Sequence, residues 1–214
     1  MKIIANTGGI VSTNCYLVAD EVAKQAVLFD APNDTTAPLL DEAQRRGWDI
    51  TGLWLTHGHF DHVADHAIVT GHFPRARVLI HPADVPKLAH PNDGPFPLPF
   101  VIPPGKADQV IADGQVLSLG SIVVHVLHTP GHCAGHVSYH FPQEKVLVGG
   151  DLIICGAVGR TDLPDSDAAA LDASIRRVML LPPETRLLPG HGDISTLGDE
   201  RRSNPYVQEA LRNA

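Results

Sequence analysis

Short apolar runs within residues 2–7 (Ile3-Ile4-Ala5) and 14–19 (Cys15 to Ala19) predict two strands, with Gly8-Gly9 turning the chain between them. A third strand is predicted over 26–29, ending at Asp30-Ala31-Pro32. Asn33-Asp34-Thr35-Thr36 is a helix start signal. The helix it opens should run to Arg46 and stop at Gly47, with Leu39, Leu40 and Ala43 as its inward stripe. Leu53-Trp54-Leu55 reads as part of a buried strand. A short helix is expected from Val63 to His72, its start helped by the carboxylate of Asp61 or Asp65. A strand over 77–81 and a short helix over 82–89 follow. Gln109-Val110 and residues 115–119, split by Asp113-Gly114, predict a hairpin. Strands are predicted over 122–127, 137–141, 145–148 and 186–188. An amphipathic helix over 168–181 has Asp167 at its N-cap and Leu171, Ile175 and Val178 on one face. A terminal helix from Asp199 onward should bend or restart at Pro205. Short strands alternating with helices indicate an α/β class.

Composition narrows this picture. A chain of 214 residues is expected to form one domain, 1–214. Hydrophobic residues at 43% and charged residues at 19% suit a packed core, and aromatics at 5% make that core aliphatic. A formal charge of −8 argues against a nucleic-acid partner, which calls for a basic face. Cys15, Cys133 and Cys155 are odd in number and form no C-x-x-C, which fits a reducing cytosol. The first twenty residues hold no apolar signal region, and no run approaches the ~18 apolar residues of a membrane span. The expectation is a cytoplasmic protein without a membrane partner; no feature sets an oligomeric state. Residues 90–106, dense in proline and glycine, read either as a substrate-facing lid with Phe96, Leu98 and Phe100 on its apolar face or as a structural cover.

The chemistry gathers after the buried Leu53-Trp54-Leu55 run. Within six residues come His57, His59, Asp61 and His62, in the order H-x-H-x-D-H. Thirteen histidines make some clustering expected, but not this order directly behind a buried strand. Residues two apart in an extended segment lean to one side, so His57 and His59 can grip one ion. Asp61 and His62 lie past them, where the chain turns into the next element, and can face a second position. Gly58 is expected to let the backbone bend tightly there. Imidazoles and carboxylates together suit zinc, iron or manganese. Further on, T-P-G-H-C-A-G-H at 129–136, G-G-D at 149–151 and P-G-H-G at 189–192 each follow a strand and deliver His132, Asp151 and His191.

In that order, T-H-G-H-F-D-H at 56–62, T-P-G-H, G-G-D and P-G-H-G resemble the metallo-β-lactamase superfamily over nearly the whole chain. The resemblance implies a four-layer αβ/βα sandwich with a metal site along one edge of two facing sheets. It also implies two divalent ions, with zinc expected and iron or manganese compatible. His57, His59 and His132 would hold the first ion, and Asp61, His62 and His191 the second. Asp151 would bridge them beside a water or hydroxide. Seven such ligands are too many for one zinc, which usually takes four, whereas a pair of ions ~3.5–4 Å apart is a common hydrolytic arrangement.

Within the superfamily, G-R-T-D-L-P-D-S-D at 159–167 and P-G-H-G-D-I-S-T-L-G-D-E-R-R-S-N-P at 189–205 resemble glyoxalase II-like hydrolases of the short bacterial type. The C-terminal helical domain by which longer members help bind glutathione is not expected, because the chain ends soon after His191. The activity implied is hydrolysis of hydroxyacylglutathione or a related small thioester. Asp61 and Asp151 would serve as catalytic residues that orient the bridging hydroxide. A thiol of pKa roughly 8.5 leaves without a dedicated acid, as an amide or β-lactam nitrogen does not. Arg160 is a candidate to grip a substrate carboxylate or to pair with Asp162 or Asp165. His128 and His136 read as supporting or packing residues, and Asp30 and Asp193 as structural. Three other readings stand beside this one. The first is a mononuclear iron persulfide dioxygenase of the same superfamily, using His57, His132 and Asp151. The second is a non-catalytic metal-binding protein. The third is an RNA-processing nuclease of the same fold, against which the acidic charge counts.

Overall fold

In the computed structural model, which describes residues 1–212, the strands form two six-stranded sheets and a two-stranded ribbon. Two compact units share them, one made of residues 1–111 with 118–122, the other of 112–117 with 123–214.

The first unit begins with β1 (Lys2–Gly8), β2 (Thr13–Asp20) and β3 (Gln25–Phe29), paired antiparallel in that order. From β3 onward the pairing is parallel, through β4 (Asp49–Trp54), β5 (Arg77–Ile80) and β6 (Gln109–Val110). Parallel neighbours need crossovers. These are α1 (Ala37–Arg46), then α2 (Phe60–Val63) with α3 (His66–His72), then a single 3-10 turn and α4 (Val85–Ala89). Leu39, Leu40 and Ala43 are the buried residues of α1, and Gly47 ends it with φ at 66°. They pack in one cluster with Leu17, Leu28, Ile50, Leu53 and Val69.

The single helix expected over 63–72 is broken instead, because Asp65 is used elsewhere. Its carboxylate accepts hydrogen bonds from the N–H groups of Asp34, Thr35 and Thr36 and from the Thr36 hydroxyl, and caps none of its own helix. It therefore satisfies the start of α1, whose Thr36 side chain makes no cap of its own.

The second unit holds β7 (Val116–Leu119), whose last residues belong to the first, then β8 (Ile122–His128), β9 (Val137–Phe141) and β10 (Val146–Gly150). The ribbon β11 (Ile153–Ile154) and β12 (Ala157–Val158) precedes α5 (Ala168–Val178). Then come β13 (Arg186–Pro189), β14 (Ser195–Thr196), α6 (Leu197–Ser203) and α7 (Pro205–Arg212). The sheet order is β14-β13-β10-β9-β8-β7, with β10 and β13 parallel across the α5 crossover. The Asp167 carboxylate caps α5 by accepting from the Ala169 and Ala170 N–H groups, at 2.9 and 3.0 Å. Leu171, Ile175 and Val178 pack with Leu147, Leu187, Val207 and Ala210. The terminal helix restarts at Pro205 as expected; its continuation past residue 212 lies outside the described residues.

The hairpin expected at 109–119 does not form. Val110 pairs with Ile80 of β5, whereas β7 lies beside β8. The Asp113-Gly114 turn is real, with Gly114 at φ 71°, but its bonds go elsewhere. The Gly114 N–H donates to Val126 O, and Asp113 accepts from the His128 N–H. A turn signal fixes a change of direction, not the partner of the strand that follows.

Candidate metal centre

β3, β4 and β5 run parallel, so their C-terminal ends lie side by side and deliver Asp30, the 56–62 loop and the segment containing Asp84 to one edge of the first sheet. His59 is extended (φ −67°, ψ 148°), and α2 begins at Phe60. The chain thus changes from extended to helical between the first two ligand candidates and the second two, as the spacing predicts. The Nε2 of His57 and the Nδ1 of His59 are 3.0 Å apart, and the Nε2 of His62 is 3.3 Å from Oδ2 of Asp61. The His57 and His62 rings pack with centroids 4.0 Å apart.

The partners of these rings determine which nitrogen each can offer. His57 Nδ1 is 3.0 Å from the Thr56 hydroxyl, and His62 Nδ1 is 2.8 Å from Asp30 Oδ2. Both rings are fully buried. Holding Nδ1 turns Nε2 to face a ligand and makes that nitrogen more basic, which is the usual support of a metal-binding imidazole. Asp30, read from sequence as structural, thus does more. It also accepts the Thr56 N–H and hydroxyl, both at 2.8 Å, and so fixes the base of the whole loop. Thr13 donates its hydroxyl to Asp61 Oδ2 at 2.7 Å. No local sequence signal marks Thr13, which sits 48 residues before its partner. Gly58 has a different role from the one expected. Its φ is not positive; a Cβ there would lie 2.8 Å from Lys87 Cβ and 3.0 Å from Asp84 O. Its N–H donates to Asp84 Oδ2 at 2.7 Å. The residue is glycine because another segment passes close, not because the chain bends.

In the second unit the three candidates come from three loops. Parallel β10 and β13 end together, placing Asp151 and His191 beside each other; the Gly190 N–H donates to Gly150 O at 2.8 Å. Antiparallel β9 starts where β10 ends, which brings in His132 from the loop before it. Oδ2 of Asp151 lies 3.3 Å from His191 Nε2 and 3.5 Å from His132 Nε2. His132 Nδ1 is held by the Arg160 carbonyl at 2.9 Å, again turning Nε2 outward. Gly131 permits this loop: its φ is 137°, and a Cβ would sit 2.3 Å from the backbone of Leu171.

These distances fit a cation. Two atoms each ~2.0–2.1 Å from a tetrahedral zinc stand roughly 3.3 Å apart. The pairs at 3.3 and 3.5 Å match that edge, and the 3.0 Å His57–His59 pair is somewhat tighter. The donor set, imidazole nitrogens with carboxylate oxygens, suits zinc, iron or manganese.

The Arg160 guanidinium makes a bidentate pair with Asp162 at 2.6 and 2.7 Å, the second of its two expected roles. His128 is bonded to Ala134 O, and His136 to Thr129 and Asp151. His66 is bonded to Pro103 O and His72 to Ile68 O. Cys15 is buried with its thiol donating to Asp30 O, and burial pushes its pKa up. Among the described residues, no helix is long and apolar enough to cross a membrane.

The family model described as the metallo-β-lactamase superfamily matches residues 8–191. A protein of Aquifex aeolicus, named only as uncharacterized, is 33% identical over 95% of both chains. "Hydroxyacylglutathione hydrolase GloC" of Haemophilus influenzae is 31% identical over 91% of this chain and 92% of its own. Among solved structures, BLEG-1 B3 metallo-β-lactamase superposes with a TM-score of 0.87 at 30% identity, covering 96% of this chain and 99% of that one. TTHA1623 in a di-iron-bound form gives 0.80 at 37%, covering 95% and 99%. ETHE1 from Myxococcus xanthus gives 0.79 at 26%, covering 98% and 85%. With a family match across most of its length and relatives above 30% identity over nearly all of it, the chain belongs to the metallo-β-lactamase superfamily.

Proposed function

We propose that this chain is a metal-dependent thioester hydrolase that cleaves hydroxyacylglutathione or a related small thioester. In this reading His57, His59 and His132 would hold one divalent ion, Asp61, His62 and His191 would hold a second, and Asp151 would be shared. One observation carries the sharing: a single oxygen of Asp151 lies at ligand-edge distance from both His132 and His191, one histidine from each proposed set. Zinc is the proposed metal, and the di-iron form of TTHA1623 makes iron the first competitor. The family match runs through both units, which supports reading residues 1–214 as one functional domain.

A pair of divalent ions supplies a water acidified from pKa 15.7 to about 7 and an electrophile for a carbonyl oxygen. The protein's own groups do the rest. Asp61, with Oδ2 fixed by the Thr13 hydroxyl, accepts a hydrogen bond from the attacking water and orients it. The Asp151 carboxylate would add a second negative charge that tempers the site. Asp30, Thr56 and the Arg160 carbonyl hold the ligand rings so that no reorganisation is needed during the reaction. A thiolate leaves without a proton donor, whereas a β-lactam nitrogen requires one, so this set of groups favours thioesters. Arg160 can take a substrate carboxylate by releasing Asp162, an exchange between two exposed bidentate partners. Three free cysteines fit a reducing compartment, in keeping with a cytoplasmic enzyme acting on a thiol ester.

The deciding assay sets hydrolysis of S-lactoylglutathione beside metal analysis of protein purified without added metal. Turnover with about two equivalents of metal per chain is expected. Turnover of a β-lactam but not the thioester would overturn the substrate assignment. Oxygen uptake with glutathione persulfide and a single iron would replace the hydrolase with the dioxygenase reading.

A further inference from the structure

His136 is fully buried, and both of its ring nitrogens are engaged by protein groups. Nε2 accepts the Asp151 N–H at 3.0 Å. Nδ1 lies 3.0 Å from the Thr129 carbonyl and 2.9 Å from the Thr129 hydroxyl. A carbonyl can only accept and a backbone N–H can only donate, so in this arrangement Nδ1 carries the ring proton and Nε2 is the acceptor. The Thr129 N–H donates back to the His136 carbonyl at 3.0 Å, and the Thr129 hydroxyl meets the Ser138 hydroxyl at 3.0 Å. Ser138 in turn donates to Gly149 O at 3.2 Å.

The place of this ring in the sheet explains why it is needed. The β9–β10 ladder pairs Phe141 with Val146, His140 with Leu147 and Tyr139 with Val148, and goes no further. β10 then bends at Gly150, where φ is 53°, and leaves the Asp151 N–H beyond the ladder at a site only 6% exposed. A buried N–H needs an acceptor. The His136 side chain, from the residue just before the neighbouring strand β9, provides it in place of a backbone carbonyl.

We propose that His136 is a positioning residue: by holding the Asp151 backbone it sets the affinity of the chain for both metal ions without touching either. This rests on Asp151 being the shared ligand. A packing role alone would lower the stability of the metal-free protein and leave metal affinity unchanged; positioning moves affinity itself.

Two measurements test this. In 15N-labelled wild-type protein, with and without zinc, long-range spectra should show His136 as the Nδ1–H tautomer and a coupling across the hydrogen bond between Asp151 N and His136 Nε2. An Nε2–H tautomer overturns the proposal. Second, zinc is titrated against a chromophoric chelator. His136→Leu should weaken zinc binding roughly 10- to 100-fold, and His136→Gln, which can both donate to Thr129 and accept from Asp151, should restore most of it. A folded His136→Leu protein with the wild-type competition curve overturns the proposal. If that variant does not fold, Thr129→Val is read in its place; severalfold weakening is expected, and an unchanged curve counts against positioning. Asp151→Ala separates the two levels: wild-type zinc binding there removes the shared-ligand reading itself. A defect there with none in His136→Leu removes only the present inference.

Discussion

Each of the two units gathers its candidate metal ligands by a different route. In the first, four candidate ligands sit within six residues of one loop, and the groups that steady them are mainly side chains: Asp30 on His62, Thr56 on His57, Thr13 on Asp61. In the second, three candidates come from loops centred on residues 132, 151 and 191, and two of them, His132 and Asp151, are steadied through backbone groups. These are the Arg160 carbonyl on His132 and the Asp151 N–H on His136. The local loop collects its ligands by covalent spacing alone and needs the fold only to orient them. The dispersed set exists only when β9, β10 and β13 are in register. Changes to the first loop should therefore remove individual ions, whereas changes to Asp151 or to the strand register behind it should act on both ions or on the fold.

The sharpest contrast is between His59→Ala and Asp151→Ala. Both should lower thioester turnover about 1,000-fold or more, roughly 4 kcal/mol of barrier. They should differ in metal content. His59 belongs to one proposed site, so its loss should leave about one equivalent bound, while loss of Asp151 should empty both. Retention of one full equivalent by Asp151→Ala would show that its carboxylate is not shared. Next in size is the pair Gly131→Ala and Gly58→Ala. The first forces a side chain onto φ 137° and against the Leu171 backbone at 2.3 Å. It should cost about 3 kcal/mol or more, because strain and overpacking act together. The second meets Lys87 Cβ at 2.8 Å with no φ strain and should cost about 1–2 kcal/mol. Denaturant midpoints measure both, and a larger loss at Gly58 would reverse the contrast.

This difference also decides what could be read in the sequence. The H-x-H-x-D-H spacing declares the first loop without help, because the ligands are neighbours in the chain. His132, Asp151 and His191 are individually unremarkable; only their order within family motifs singles them out, since strand register is not written locally. The same limit explains the failed hairpin at 109–119 and the misread Gly58. Both turn on which distant segment lies alongside, Ile80 in one case and Lys87 in the other. Asp65 illustrates it again: its position before α3 advertises a cap, yet its carboxylate serves Thr36 of α1. Elements whose signals are self-contained keep the end that carries the signal: α5 starts after its Asp167 cap, though it stops at Val178 and not at 181, and α1 ends at its Gly47 stop.

A smaller effect is expected at Asp30, the main side-chain support of the first unit. Asp30→Asn keeps the size of the side chain but replaces the carboxylate that holds His62 Nδ1 with a neutral amide. Zinc affinity should fall by about 10-fold at the site that includes His62 and by less at the other, which Asp30 reaches only through Thr56 and His57. Stepwise chelator titration resolves this. Simultaneous loss of both ions would mean that the first loop is as dependent on the fold as the second unit.

The smallest contrast concerns acid stability. In the first unit, Asp20 is buried and accepts hydrogen bonds from the Ser121 N–H and hydroxyl and from the Ala23 and Val22 N–H groups. The Ser121 bonds lead in holding its carboxyl well below the usual range. In the second unit, burial works to raise the Asp113 carboxyl, but the Arg177 guanidinium and the His128 N–H outweigh it and bring it down. A carboxylate whose pKa is lower in the folded state stabilises the fold fully above its unfolded value, near 3.9, and loses that contribution as pH falls through the folded value. Asp20→Asn should therefore lower Tm at pH 7 and flatten its decline below about pH 4. The Asp113–Arg177 pair is about half exposed, at 50% and 41%, and screened by water, so Asp113→Asn should change stability by only about 0–1 kcal/mol. Thermal unfolding of both variants between neutral pH and pH 3 checks the order. If Asp113→Asn flattens the acid limb more than Asp20→Asn does, the acid sensitivity of the chain belongs to the surface of the second unit and not to the hydrogen-bonded carboxylate of the first.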